Sequence, residues 1–339
     1  MTTITIGSAF ERRKASNGYH SERFTDFVQN LDVVQRRVQS LYSGSTYPAG
    51  TALEGLPFDP KNGIVGKYSP DVMIPTFLAT YAGGDVHSKN LDLFPSMLSM
   101  LPNWKLTYSG LSKLPKFKKH FKSFNINHSY KSVYSVGSFN TYSTYMEYMN
   151  GLGFISDITT GSPVPSSMFD ISAVSINEQF SPLIGVDVTL LNNMTMKLQY
   201  NKSRVMNLSM TSVQLVETNS DDIVFGVGYK LTNVKLFGLG KRPAATGGKG
   251  RVSNDLNLRG DFSWRDQSAL CRNIQDISTQ ATSGNKALKI SLSADYTFSR
   301  MLTLNAYFDH QTNIPVVSSS SYPTSTNDFG ISLKFALTR

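Results

Sequence analysis

Ile223-Val-Phe-Gly-Val-Gly-Tyr-Lys-Leu-Thr232 alternates without a break. In an extended chain Ile223, Phe225, Val227, Tyr229 and Leu231 point one way, and Val224, Gly226, Gly228, Lys230 and Thr232 the other. The same rhythm returns in 288–298, where Leu288, Ile290, Leu292, Ala294, Tyr296 and Phe298 oppose Lys289, Ser291, Ser293, Asp295 and Thr297. It returns again in 302–308 and 329–337, and more weakly at 104–110, 122–131, 184–190, 194–200, 206–211 and 256–264. From Trp104 onward the chain therefore reads as all-β.

Two architectures share this period. A soluble sandwich turns its apolar side into a core and its polar side to water. A transmembrane barrel turns the apolar side to lipid and the polar side to a wet lumen. Three details favour the antiparallel barrel, with about 10–13 strands in this chain. The alternating segments approach the ~9–11 residues of an oblique bilayer crossing. Tyr200, Trp264, Phe298 and Phe329 sit at the expected strand ends, where aromatic girdles belong. The opposite side is rich in Ser, Thr, Asn, Gly and single charges.

On this reading Ile223, Phe225, Tyr229, Leu292, Tyr296, Leu333 and Phe335 face lipid. Gly226, Gly228, Lys230, Lys289, Ser291, Asp295, Asn305 and Lys334 face the lumen. Ser299-Arg300 reads as a short periplasmic turn and 312–326 as a long outer loop, which returns the C-terminus to the periplasm. The same counting puts 236–253, with Lys241, Arg242, Lys249 and Arg251, on the periplasmic side, where so long a loop is unexpected.

The first part of the chain differs. Thr3, Thr5 and Gly7 alternate with Ile4, Ile6 and Ser8, so 1–10 is expected to be a barrel strand. The basic cluster Arg12-Arg13-Lys14 follows it, the reverse of an export signal, which suggests a piece of a longer chain. Residues 11–103 read as a helical and irregular insertion, plug-like in character. Within it Phe24, Phe27, Val28, Leu31, Val34, Val38 and Leu41 recur at helical spacing, and Ser21 is the expected N-cap. A second helix is expected over 71–82, with Pro75 in its first turn and Gly83-Gly84 ending it. Both helices carry apolar faces that call for a bracing role. Residues 104–339 are then the C-terminal transmembrane strands.

Composition narrows the functional classes. Lys+Arg total 33 and Asp+Glu 24, a formal charge of +9 at a sequence pI near 9.4. Only 17% of residues are charged, while 16 Tyr, 20 Phe and 2 Trp are available to bury, so charge-driven disorder is excluded. One cysteine, Cys271, excludes an internal disulfide framework and a cysteine-rich zinc site. No run reaches the ~18 apolar residues of a spanning helix. The basic excess suits lipid phosphates better than nucleic acid, since no basic helix or aromatic-basic RNA motif is visible.

Ser175-Ile-Asn-Glu-Gln-Phe-Ser-Pro-Leu-Ile-Gly-Val-Asp-Val-Thr-Leu190, residues 192–204, Asp255-Leu-Asn-Leu-Arg-Gly-Asp-Phe-Ser-Trp-Arg-Asp266 and residues 330–339 resemble a known family, and 103–113 and 121–131 agree with it. They are similar to the C-terminal part of the SprA (Sov) family, the outer-membrane translocons of the type IX secretion system and gliding motility in Bacteroidota. The resemblance implies a very large single-chain barrel that passes folded cargo proteins to the cell surface. It implies as partners the outer-membrane lipids, secreted cargo, other secretion components and the upstream remainder of the same barrel. It implies no cofactor.

Catalytic and metal chemistry finds little purchase. The five histidines, His20, His87, His120, His128 and His310, lack zinc spacing. Asp309-His310 and His128-Ser129 leave a lipase- or protease-like barrel conceivable. The glycine-rich 238–250 is no P-loop, because neither Lys is followed by Ser or Thr. Asp221-Asp222, and Asp309 near Asn313, lack calcium-loop spacing and read as solvated loop residues. No catalytic, cofactor-binding or metal residue is assigned. Besides the enzyme, the other alternative is a structural or adhesive surface barrel that binds through 266–285 and 312–326.

Overall fold

The computed structural model describes residues 9–11, 14–59, 65–82, 86–87, 103–149, 152–157, 159–232, 234, 254–298, 302–317 and 321–336. It is mainly β, with helices near the N-terminus. One antiparallel sheet dominates: β1 (Trp104–Tyr108), β2 (Phe121–Val136), β8 (Ala173–Leu190), β9 (Met194–Ser209), β10 (Gln214–Leu231), β11 (Leu256–Asn273), β12 (Thr279–Thr297), β13 (Leu302–Pro315) and β14 (Thr324–Phe335), in that spatial order. The short β3 to β7, all within 139–171, form a two-stranded and a three-stranded sheet inserted between β2 and β8.

Four expectations are corrected here. Among the described residues the main sheet has nine strands, not 10–13, and β1 and β14 are its edges, so no closed barrel is formed. The stretch 104–339 is not an unbroken series of staves, because 139–171 leaves the sheet. Strands β8 to β12 run 16–19 residues, well beyond a bilayer crossing, because the alternation continues into stretches where charged residues replace apolar ones. Residues 1–8 of the expected first strand lie outside the described residues, and Ala9-Phe10 form a helical turn instead of a strand.

The strand parity holds. Leu231 pairs with Leu256 and Thr297 with Thr303, so the 232–255 connection and the β12–β13 connection leave the sheet at one end. The tight turns at 210–213 and 274–278, the β13–β14 connection and the 137–172 insertion leave at the other. The basic stretch 236–253 lies outside the described residues, as do Gly83-Gly84. The β13–β14 connection is 316–323, shorter than expected, because both strands extend into 312–326. Residues 266–285 are not a loop: β11 and β12 occupy all but a tight turn.

Helix α1 (Glu22–Leu41) starts where the sequence places it, with the Ser21 side chain accepting from Phe24 N at 3.1 Å. Its apolar stripe meets helix α2 (Pro70–Ala82) through Phe27, whose ring lies 6.2 Å from Phe77 and 6.1 Å from Tyr81. Pro75 falls in the second turn of α2, not the first; Pro70 opens the helix, where its missing N–H costs nothing. Together the helices cover one end of one sheet face, over Val174, Ile176, Met206, Leu208, Leu215 and Ile274. Tyr42, Tyr47, Phe58 and Phe154 extend this core to the small sheets. The helices therefore brace the sheet from one face; they do not lie over its polar face as a plug would.

Asp71 at the start of α2 is buried, and its carboxylate accepts from Ser167 N at 2.9 Å. Desolvation pushes its pKa up, against the lowering effect of the Ser167 bonds. The folded state thus holds this proton more tightly than the unfolded chain. Stability from this group is greatest below about pH 4, falls as pH rises through the raised folded value, and levels off above it. Asp71→Asn, which keeps an acceptor oxygen, is expected to flatten that slope in urea titrations run across pH; an unchanged slope would assign it elsewhere. Phe27 and Leu31 are fully buried. Phe27→Asp with Leu31→Asp should cost at least the ~3–5 kcal/mol of a Phe→Ala core cavity and detach the helices. Unchanged heat stability and protease resistance of 22–82 would count against bracing.

Candidate functional surface

Cross-strand register decides which side chains share a face, since directly paired residues point the same way. Gly226 pairs with Lys197 and Asp261, and Asp261 leads on to Ser291, Asp309 and Asp328. Lys230 leads through Asn257 to Asp295, Asn305 and Ser332. Gly228, Lys289 and Lys334 fall in phase with these rows. All eight residues expected to line a lumen lie on one face. Ile223, Phe225, Tyr229, Leu292, Tyr296, Leu333 and Phe335 all lie on the other.

The polar face is a mixed-charge surface. Asp187 accepts from Asn127 at 2.7 Å and Asp295 from Asn305 at 2.7 Å. Asp222 takes Arg265 in a two-pronged pair at 2.7 and 3.0 Å. Lys230 Nζ lies 2.9 Å from Asp255. Two glycines serve packing here: a Cβ on Gly226 would come 2.8 Å from Asp261 Oδ1, and one on Gly228 2.6 Å from Thr195 Oγ1. Around them the face encloses a groove of about 790 Å³ lined by Asp187, Lys197, Lys230, Arg259, Asp261 and Asp295 among others.

The apolar face has three zones. The lowest is an open band: Leu292 is 50% exposed, Leu333 62% and Phe329 79%. It covers 223–231 of β10, 256–264 of β11, 288–296 of β12 and 327–335 of β14, close to the ~9–11 residues of an oblique crossing. Tyr296, expected at the lipid surface, is on this face but covered: its hydroxyl donates to Val234 O at 2.8 Å and its ring meets Phe298 edge-on. Tyr200, Trp264 and Phe329 are not at strand ends: Tyr200 and Trp264 sit in mid-strand at the upper margin of the band, and Phe329 sits in mid-strand within it.

Above that margin runs a belt of charge that the sequence reading missed. Tyr200 donates to Asp221 at 2.8 Å, and Lys202 Nζ lies 2.6 Å from the same carboxylate. Glu178 accepts from Tyr130 at 2.8 Å and from the Arg204 guanidinium at two of its nitrogens. Glu217 holds Arg272 at 3.0 Å and accepts from Asn219 at 3.0 Å. Arg272 also donates to Tyr19 O at 2.9 Å and stacks 5.5 Å from Phe24. Glu178, Arg204 and Arg272 are almost wholly buried. The signal was available in the phase: Lys202 and Arg204 continue the apolar series of Met194, Met196 and Leu198, and Asp221, Asn219 and Glu217 that of Ile223 and Phe225. Asp221 and Asp222 are thus strand residues on opposite faces, not loop residues. The third zone is the apolar ground beneath α1 and α2.

The enzyme alternative gains no geometry. His128 Nδ1 lies 2.6 Å from Leu183 O on β8, and Ser129 donates instead to Ser181 O. His310 bonds Asn327 and Thr312, while its neighbour Asp309 points from the other face. The two histidines stand on β2 and β13, far apart in strand order. Cys271 is a free thiol on the polar face. Among the described residues no three His, Cys, Asp or Glu could hold a metal, and no helix is long and apolar enough to cross a membrane. Neither a family model nor a curated protein matches the chain.

Removing one partner of a buried ion pair strands the other. Glu178→Gln is expected to destabilise the sheet by about 3–5 kcal/mol in reversible urea unfolding. A loss below about 1 kcal/mol, the range of exposed pairs, would place Glu178 and Arg204 in solvent instead.

Proposed function

We propose that the sheet is part of the wall of an outer-membrane protein-translocation channel, in which the apolar band meets lipid and the polar face lines a water-filled passage for folded cargo. One observation carries this reading: register gathers small and mixed-charge side chains on one face of nine strands, and an exposed apolar band on the other. Water would leave so large an apolar surface uncovered at a high cost, whereas acyl chains cover it. The resemblance to the SprA translocons supports the same reading and supplies the cargo class.

The mechanism is passive. A wall of Gly, Ser, Asn and Thr with balanced Lys and Asp stays hydrated and offers no strong field of one sign. Many of its charges are already satisfied by neighbours, as Asp222 is by Arg265 and Asp295 by Asn305. A passing protein therefore meets no deep electrostatic trap. Among the described residues β1 and β14 are the sheet's edges, and within hydrocarbon each backbone group left without a partner there would cost several kcal/mol, so on this reading further strands complete the wall. The polarity of the ends follows from the same reading: the 232–255 connection and the C-terminus lie in the periplasm, and the helices brace the outer end.

Thiol chemistry tests the two faces. In a Cys271→Ala background, Ser291→Cys in native membranes should react with a bulky, membrane-impermeant maleimide at least about tenfold faster than Leu292→Cys. Equal rates at the two neighbours would overturn the assignment of faces.

A further inference from the structure

Where the open band ends and the charged belt begins, Phe10, Glu11, Lys14, Ala15 and Tyr19 line, together with sheet residues, a cavity of about 450 Å³. That volume lies within the ~300–1,000 Å³ of small-molecule clefts. Its lining changes character from bottom to top. Ile223 and Trp264 form the floor and belong to the apolar band. Phe10 and Tyr19 form the roof, and Lys14, Lys286 and Asp266 stand among the charged side chains of the lining.

The charged residues are not equally available. Asp221 is engaged by Lys202 and Tyr200. Glu11 accepts from Ser21 Oγ at 2.6 Å and from Glu22 N at 2.5 Å, so its carboxylate is committed to the start of α1. Among the described residues Lys286 has a loose partner, Asp266 at 3.5 Å, and its side chain is 55% exposed. Lys14 is also exposed. Two exposed lysines thus line the same cavity as a half-buried tryptophan at the edge of an apolar surface, and the lining also holds one weakly held carboxylate, Asp266. A phosphate would find two cations there, and a hydrocarbon tail bonded to it would find the floor continuing downward along Ile223, Phe225 and Leu288.

We propose that this cavity binds the phosphate headgroup of an acylated lipid, Lys14 and Lys286 holding the phosphate and the apolar band receiving the chains. The site deepens the membrane reading given above and rests on it for the lipid's presence. It gives the N-terminal segment a role beyond packing. Residues 10–19 and the sheet are joined by Phe10 on Phe180 at 5.5 Å and by Arg272 to Tyr19 O, and a lipid in the cavity would touch both sides of that junction.

Trp264 is a built-in reporter, since Trp104 is the chain's other tryptophan. The full chain carrying Trp104→Phe is titrated in neutral detergent micelles with a phospholipid brominated on its acyl chains. Quenching should saturate, and Lys14→Gln with Lys286→Gln should raise the half-quenching concentration by about fivefold per lysine removed. Lys14→Arg with Lys286→Arg should restore it. Brominated diacylglycerol, which lacks the phosphate, should quench no better in the parent than in the double Gln variant. Quenching unchanged by the Gln pair, in a variant whose circular dichroism and heat stability match the parent, would overturn the site. Full competition by millimolar glycerol phosphate would also overturn it, assigning the cavity to a soluble phosphate. Vesicle flotation run in parallel reports on the membrane reading alone: loss of flotation with lysine-dependent quenching retained would sink that reading and leave the lipid site standing.

Discussion

Backbone pairing commits every residue of the nine-stranded sheet to one of two faces, and a slip of one residue in any strand would exchange them. Because the pairing from β9 through β14 is interrupted only by one irregularity between Ala269 and Leu270, a slip in one strand would bring Phe225 or Leu292 among Asp261, Ser291 and Asp309. The apolar face carries the larger penalty for error, since one end of it is packed under α1 and α2 and the other end is an open apolar band. The helices, the belt and the polar wall all depend on that register.

The buried charges act on the same problem. An ion pair such as Glu178–Arg204 is weak evidence for stability, because taking both ions out of water costs about as much as their attraction returns. It is more discriminating as a marker of register. Glu178 is opposite Arg204 in the β8–β9 pairing, and Asn219 is opposite Arg204 in the β9–β10 pairing. A shift of either strand would leave Arg204 buried away from its carboxylate, which costs far more than a misplaced leucine. The belt also separates two apolar zones that would otherwise merge. Without it, the core beneath the helices and the open band would form one surface, and nothing in the packing would fix where the helical cover stops.

Much of this was legible from period alone. The strands, their phase and their parity follow from runs such as 223–232 and 288–298, and α1 with its Ser21 cap follows from a 3.6-residue stripe. Strand length was not legible, because hydrophobic alternation marks a strand only where one of its sides is greasy. Beyond Tyr200 and Trp264 the apolar side becomes Lys202, Arg204, Asp266 and Ser268, and a pattern defined by hydrophobicity ends there although the ladder does not. Pro182 and the irregular pairing between Phe180 and Ile184 hid the first half of β8 in the same way. The inserted β3 to β7 were missed because strands of three to five residues give alternation too few steps to register. The cavity under Lys14 joins positions more than 200 residues apart, and no local pattern reports such a meeting.

The edges and the band make one demand. Strand β14 ends the sheet with Phe329, Ile331, Leu333 and Phe335 all more than 60% exposed. An edge meant for water is blunted by inward-pointing charge, proline or a bulge. On its apolar face β14 has none of these over 329–335, and its ladder with β13 runs without a register shift. At the other edge β1 spans five residues beside the sixteen of β2, and Leu106 and Tyr108 are more than half exposed. A regular, greasy edge is a poor surface for an isolated soluble domain and a good template for another strand. A dry covering layer could hide the band and still leave both edges open. Additional strands in the same sheet would satisfy the edges and carry the band onward.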